Sequence, residues 1–122
     1  MKYIPTIYPN DTLSVYAVID GRTATLEWLQ EQVGGSIQTT PAAFGDDLLL
    51  IVNENGKLLD LPLNDTATDM ARNLFDNICG NVVIMKADGC ELVPLDPDEL
   101  KLVACFCASS HITTEKIEEE DK

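Results

Sequence analysis

Leu48 to Val52 reads LLLIV, the longest uninterrupted apolar run in the chain. It is far short of a membrane span, which needs about 20 such residues. Successive strand side chains point to opposite faces of a sheet. A strand that is apolar at every position therefore needs cover on both faces. LLLIV is read as a central, doubly covered strand, and the rest of the chain has to supply that cover.

The run continues from Val52 into VNENGKLLDLPLN, positions 52–64. Asn55-Gly56 is a strong hairpin signal, because a type I′ turn needs two positive φ angles and Asn and Gly tolerate them best. The expected return strand puts Leu59, Leu61 and Leu63 on one face. Pro62 makes that strand an edge, or ends it, because proline cannot donate to a ladder.

Upstream, KYIPTIY (2–8) is rich in β-branched and aromatic residues, with Pro5 and Pro9 marking an edge strand or extended arm. LSVYAVI (13–19) alternates as a strand, and Asp20-Gly21 turns it. TATLEWLQEQVGG carries Leu26, Leu29 and Val33 at helical spacing, with Trp28 as a core anchor. Thr23 or Thr25 caps its start, and Gly34-Gly35 stops it. SIQTT is a short strand, and TPAAFGDD a loop.

Downstream, NDTATDMARNLFDNICG is the most regular helical pattern. Ala67, Met70, Ala71, Leu74, Phe75 and Ile78 form one apolar stripe, with Asp65 or Thr66 as N-cap and Gly80 at the stop. Asp69, Arg72 and Asp76 occupy the opposite face. NVVIMK (81–86) is a strand, Asp88-Gly89 a turn and CELVPL the return. From residue 97 the chain reads as helix, with a reciprocal cap between Asp96 and Glu99 and Pro97 at the first helical position; an extended reading of LKLVACFCAS is the alternative. The pattern predicts an α+β fold: an antiparallel or mixed sheet of about five to six strands with two to three helices packed on it. Residues 1–112 form one such domain, and 113–122 an acidic, flexible tail.

Charge narrows the partners. The 122 residues hold 21 Asp plus Glu against 8 Lys plus Arg, a formal charge of -13. Nucleic-acid binders neutralise phosphates with basic patches, and the sequence has no Lys/Arg cluster. Direct DNA or RNA binding and attachment to an anionic membrane are therefore not expected. The N-terminus has no apolar stretch of signal-peptide type. Four cysteines without an export signal point to reduced thiols in a cytoplasm.

Candidate chemistry is sparse. Cys105, Cys107 and His111 are the candidates for a metal, with Cys79 or Cys90 as further ligands, but the spacing lacks a zinc knuckle and buried free thiols explain these cysteines more simply. Ser109-Ser110-His111 puts a serine beside a histidine without establishing triad geometry. Asp46-Asp47 and Asp96, Asp98 and Glu99 read as turn and cap residues, not as a cation loop. VGGS is a helix stop and not a phosphate loop. Lys57, Arg72 and Lys86 are the isolated cations that suit an anionic ligand. No catalytic residue and no cofactor is assigned, and the expectation is a protein without enzymatic activity.

VGG, then DLLLIVNENGKLLDLPLNDTAT, then ICGNVVIMKADG, taken together, resemble a "domain of unknown function" family of phages, plasmids and integrative elements. That family shares Val-Gly-Gly after a first helix, then Asn-Glu-x-Gly-Lys, Leu-x-Leu-x-Asn leading into an Ala-Thr helix, and Gly-Asn or Gly-Asp before an apolar strand. The resemblance covers roughly residues 13–90. It implies a mobile-element accessory protein in the bacterial cytoplasm, a setting in which small proteins often counter host defences, and it implies no catalytic residue.

The functional expectation is a small acidic phage or mobile-element protein that binds and blocks a host protein with a basic surface, such as a defence or nucleic-acid-handling factor. One alternative is an oligomeric sponge for a nucleotide-like signalling molecule. A second is a purely structural or regulatory dimer.

Overall fold

The computed structural model describes residues 2–10, 12–18, 24–43, 47–71, 77–107 and 114–118. Among these residues seven strands and three helices follow in the order β1 (Lys2–Ile7), β2 (Leu13–Val18), α1 (Leu26–Val33), β3 (Ile37–Pro41), β4 (Leu48–Asn53), α2 (Asp65–Met70), β5 (Val82–Asp88), β6 (Glu91–Val93), α3 (Pro97–Cys107) and β7 (Thr114–Glu118). The strands form one mixed sheet, β3-β4-β5-β1-β2-β7, with β6 paired to β5. Every pairing is antiparallel except that of β7, which lies parallel to β2. The α+β expectation holds, with one strand more than foreseen. No described helix is long and apolar enough to cross a membrane.

The sheet is covered on both sides, as LLLIV requires. Leu48, Leu50 and Val52 of β4 join Val82 and Ile84 of β5 in one core with Ala67 and Met70 of α2 and Val103 of α3. Ile51, Val83 and Met85 face the other way, onto Leu29 and Val33 of α1. The two-residue period of the strands sorts the side chains cleanly between these layers. Tyr16 and Trp28 meet edge to face in the second layer, centroids 5.0 Å apart.

α1 runs as its sequence predicts. Thr25 caps it by accepting the Trp28 N–H at 3.0 Å, and Gly34 ends it at φ 82°. Leu26, however, is exposed. α3 settles the ambiguity at 97 in favour of helix. Asp96 Oδ1 accepts the Glu99 N–H at 2.8 Å, and Glu99 Oε1 accepts the Asp96 N–H at 2.9 Å.

Three expectations fail for physical reasons. β1 is not an edge, because it lies between β5 and β2. Its Pro5 is tolerated because β1 forks from its neighbour there. The β5 ladder covers Thr6 and Ile7, whereas Tyr3 exchanges both backbone bonds with Leu95. Tyr3, Pro5 and Ile7 direct their backbones to the same side, so the missing proline donor falls in the gap between these two pairings.

The hairpin at Asn55-Gly56 does not form. β4 already has β3 on one side and β5 on the other, which leaves no edge for a return strand. Neither Asn55 nor Gly56 takes a positive φ.

The helix after Asn64 is also shorter than its apolar stripe. α2 stops at Met70, and Ala71 is extended at ψ 143°, bridged to Ala42 next to β3. Its N-cap is Asn64 and not Asp65 or Thr66. Leu74 and Phe75 of the stripe, and Arg72 and Asp76 opposite it, lie outside the described residues. Part of the expected tail, Thr114–Glu118, forms β7.

Candidate functional site

Two buried asparagines bracket the chain between β4 and α2. Asn53, at the end of β4, donates from Nδ2 to the Val33 carbonyl of α1 at 2.9 Å, and its Oδ1 accepts the Asn55 N–H at 2.7 Å. Asn64 donates to the carbonyls of Ile7 and Gly80 at 3.0 and 2.9 Å and accepts the Ala67 N–H at 3.0 Å. The half-buried Asn81 donates to the Gln32 carbonyl at 3.0 Å. The last carbonyls of a helix have no partner within it, and α1 has no basic residue in its last turn. Asn53 and Asn81 satisfy two of them and tie α1 to the sheet. The Val-Gly-Gly, Asn-Glu-x-Gly, Leu-x-Asn and Gly-Asn pieces that look so distinctive in sequence are thus largely frame.

What the frame displays is the segment between Asn53 and Asn64. Leu59 N–H bonds to the Asn55 carbonyl at 2.9 Å, Asp60 N–H to Lys57 at 3.1 Å and Leu61 N–H to Gly56 at 3.0 Å. The last two bonds and the left-handed Asp60, φ 61°, make a Schellman stop on a single helical turn. The turn holds Leu58 and Leu59 outward. Leu58 is 85% exposed, Leu59 55% and Leu63 46%.

A groove lies on each side of this segment. The first, about 490 Å³, is bounded by Gln38, Thr39 and Thr40 of β3, by Glu54 to Leu58, and by Asn77, Ile78 and Cys79. The second, about 670 Å³, runs among Tyr8, Pro9 and Asn10 of the β1–β2 connection, Glu31 to Gly34 at the end of α1, Leu61 to Leu63, and Gly80-Asn81.

The cations proposed for an anionic ligand are not gathered at one place. Lys57 lines the first groove beside Glu54. Lys86 is in neither groove; its Nζ sits 2.9 Å from Glu99 Oε2. That hydrogen bond and the Glu99 charge raise the Lys86 pKa above its ordinary value, against a small opposing desolvation, with Asp96 and Asp47 adding to the rise. Arg72 lies outside the described residues.

Of the metal candidates, Cys105 is exposed on α3 and Cys107 lies in the same helix, while His111 is outside the described residues, as are Ser109, Ser110 and Asp46. Cys79 is half-buried at the first groove and Cys90 exposed beside the β5–β6 turn. Among the described residues no three His, Cys, Asp or Glu side chains converge on a metal position. Asp96 and Glu99 are occupied as the cap of α3. Sequence reasoning missed the asparagine ties and the outward leucines. The signal for the latter is present in the sequence: Leu58, Leu59, Leu61 and Leu63 fall within six residues, and the return strand expected to carry Leu59, Leu61 and Leu63 has no place beside β4.

A family model described as a domain of unknown function (DUF3846) matches residues 4–106. No curated protein and no solved structure matches the chain.

Proposed function

We propose that this chain, which belongs to the DUF3846 family, acts by binding: an acidic surface engages a basic protein of a bacterial host and blocks it. The reading places the protein among phage or mobile-element accessory factors of the cytoplasm, with a defence or nucleic-acid-handling factor as target. The charge of -13 carries it. Glu54, Asp60, Asp65 and Asp69 are exposed along the segment after β4 and through α2, and Asp47, Asp88, Glu91 and Asp98 around the opposite end of β4 and β5. Lys86, beside that second group, is already paired with Glu99. Such a field speeds encounter with a positive partner and repels a polyanion.

An affinity pull-down of the full chain from bacterial lysate, at low and then moderate salt, tests the reading. A stoichiometric basic protein should be retained at low salt and released as salt rises, because screening weakens exposed charge pairs. Reversing Asp60, Asp65 and Asp69 to lysine should weaken retention. A partner whose retention ignores both salt and charge reversal would sink the reading.

One observation favours a second reading, the nucleotide-like ligand sponge. The groove beside Lys57 is of ligand size and lined with amide and hydroxyl side chains. Heating the purified protein and analysing the supernatant for a released nucleotide tests it, and a clean supernatant counts against it.

A further inference from the structure

The acidic surface and the outward leucines meet on one element. Lys57-Leu58-Leu59-Asp60-Leu61-Pro62-Leu63 separates the two grooves, with Leu58 lining the first and Leu61 and Leu63 the second. Three of its four leucines are about half exposed or more. The sheet cannot take the segment up, because both edges of β4 are filled. Its conformation is held by the Schellman stop at Asp60 and by buried Asn53 and Asn64 at its ends. A protein surface that holds several large apolar side chains outward on a fixed backbone marks an interaction site more often than a scatter of single exposed leucines does.

Charge decides what covers it. Glu31, Glu54, Asp60, Asp65 and Asp69 belong to the ridge, its groove walls or α2 directly after it, and Lys57 is the one cation of the ridge itself. A second copy of the chain would bring like charges together around the leucines. A basic partner brings opposite charges to the rim while its apolar side chains cover the centre, the usual division of an interface.

We infer that the 57–63 ridge and its two grooves are the docking surface for a protein segment that presents apolar side chains flanked by lysine or arginine. The inference rests on the binding reading above and gives that reading a place on the molecule. Leu58 and Leu59 supply the central contact, Leu61, Pro62 and Leu63 the floor on the side of Tyr8 and Pro9, and the acidic rim the orientation.

The test uses the full isotope-labelled chain and three synthetic peptides of equal length: alternating Leu and Lys, alternating Ser and Lys, and alternating Leu and Glu. The Leu/Lys peptide should saturate, with amide shifts centred on Lys57 to Asp60, Leu61, Leu63 and Gly34. The Ser/Lys peptide should bind about tenfold more weakly or less, and the Leu/Glu peptide not at all. The double variant Leu58→Ser/Leu59→Ser should weaken the Leu/Lys peptide about tenfold at an unchanged thermal midpoint, since both side chains are exposed.

Equal binding of Ser/Lys and Leu/Lys, or shifts centred on Asp96 to Glu99, would overturn the ridge and leave the acidic-surface reading standing. No binding of either basic peptide would overturn both. Ridge shifts that grow with protein concentration alone would overturn the basic partner in favour of a second copy.

Discussion

Gly56 and Asp60 invert the usual rule for glycine. Gly56 does not adopt a positive φ, yet a Cβ there would stand 2.9 Å from the Cys79 carbonyl oxygen, closer than a real Cβ approaches backbone. Asp60 does adopt a positive φ, which costs an L-residue with a side chain and costs glycine nothing. Opposite outcomes follow for two substitutions four residues apart. Gly56→Ala should lower stability by roughly 1–3 kcal/mol through overpacking against fixed backbone. Asp60→Gly should be neutral or raise stability by up to about 1 kcal/mol, as relief of the left-handed strain is offset by the greater chain entropy of glycine. Urea unfolding of both variants measures the pair.

Asn64 is the most heavily engaged of the framing residues, with no exposed surface and three hydrogen bonds that join β1, Gly80 and α2. Asn64→Ala strands two buried carbonyls and removes a helix cap, at a cost of roughly 2–4 kcal/mol. Asn64→Asp keeps the acceptor for Ala67 but loses both donors, so it should rescue little. None of this was legible beforehand. An asparagine between leucine and aspartate reads as a turn residue, and only the finished fold brings the Ile7 and Gly80 carbonyls to its amide.

Elements whose ends are set by local chemistry were readable, and elements whose ends are set by distant neighbours were not. α1 and α3 carry their own signals: Thr25 and Gly34 for one, Asp96, Pro97 and Glu99 for the other. α2 carries an apolar stripe running well past Met70, but Ala43 N–H bonds to the Met70 carbonyl at 2.8 Å and Ala71 bridges Ala42, so tertiary pairing draws the backbone out of the helix. The Asn55-Gly56 turn was lost in the same way, to strands that had already taken both edges of β4.

α3 also holds the ion pair that makes a pH prediction. Glu99 raises the Lys86 pKa above 10.5, so the pair contributes its full stability below pH 10.5 and loses it as pH climbs through the raised value. The side chains are 34% and 18% exposed, so screening holds the contribution to about 0.5 kcal/mol. Lys86→Met should therefore cost about 0.5 kcal/mol relative to the unsubstituted chain near pH 8, and less at high pH. Denaturation of both proteins at about pH 8 and about pH 11.5 should show the difference between them shrinking at the higher value.

At the scale of the whole molecule, the doubly covered sheet follows from five residues, whereas the strand order does not follow from any local pattern. Pro5 argued for an edge, and a fork in the sheet overrode it. The candidate site is half legible in the sequence: its acids follow from composition, whereas Leu59, Leu61 and Leu63 read as one face of a strand.

The charge makes the last prediction. A compact chain of -13 repels itself, and unfolding lets the carboxylates move apart. Added sodium chloride shortens the screening length from about 30 Å at about 0.01 M to about 4–5 Å at about 0.5 M, which removes most repulsion between exposed groups. It also weakens the Lys86–Glu99 pair, but that loss is bounded by the pair's own small contribution. The thermal midpoint should therefore rise across this range by several degrees, and the rise should be smaller in a variant with Asp60, Asp65 and Asp69 changed to asparagine. Scanning fluorimetry over a chloride series checks it. Sulfate has to be avoided, since it stabilises folded chains by exclusion from their surface whatever their charge. A flat or falling midpoint in chloride would mean that favourable charge pairs outweigh the repulsion, and that the acidic surface is already locally compensated.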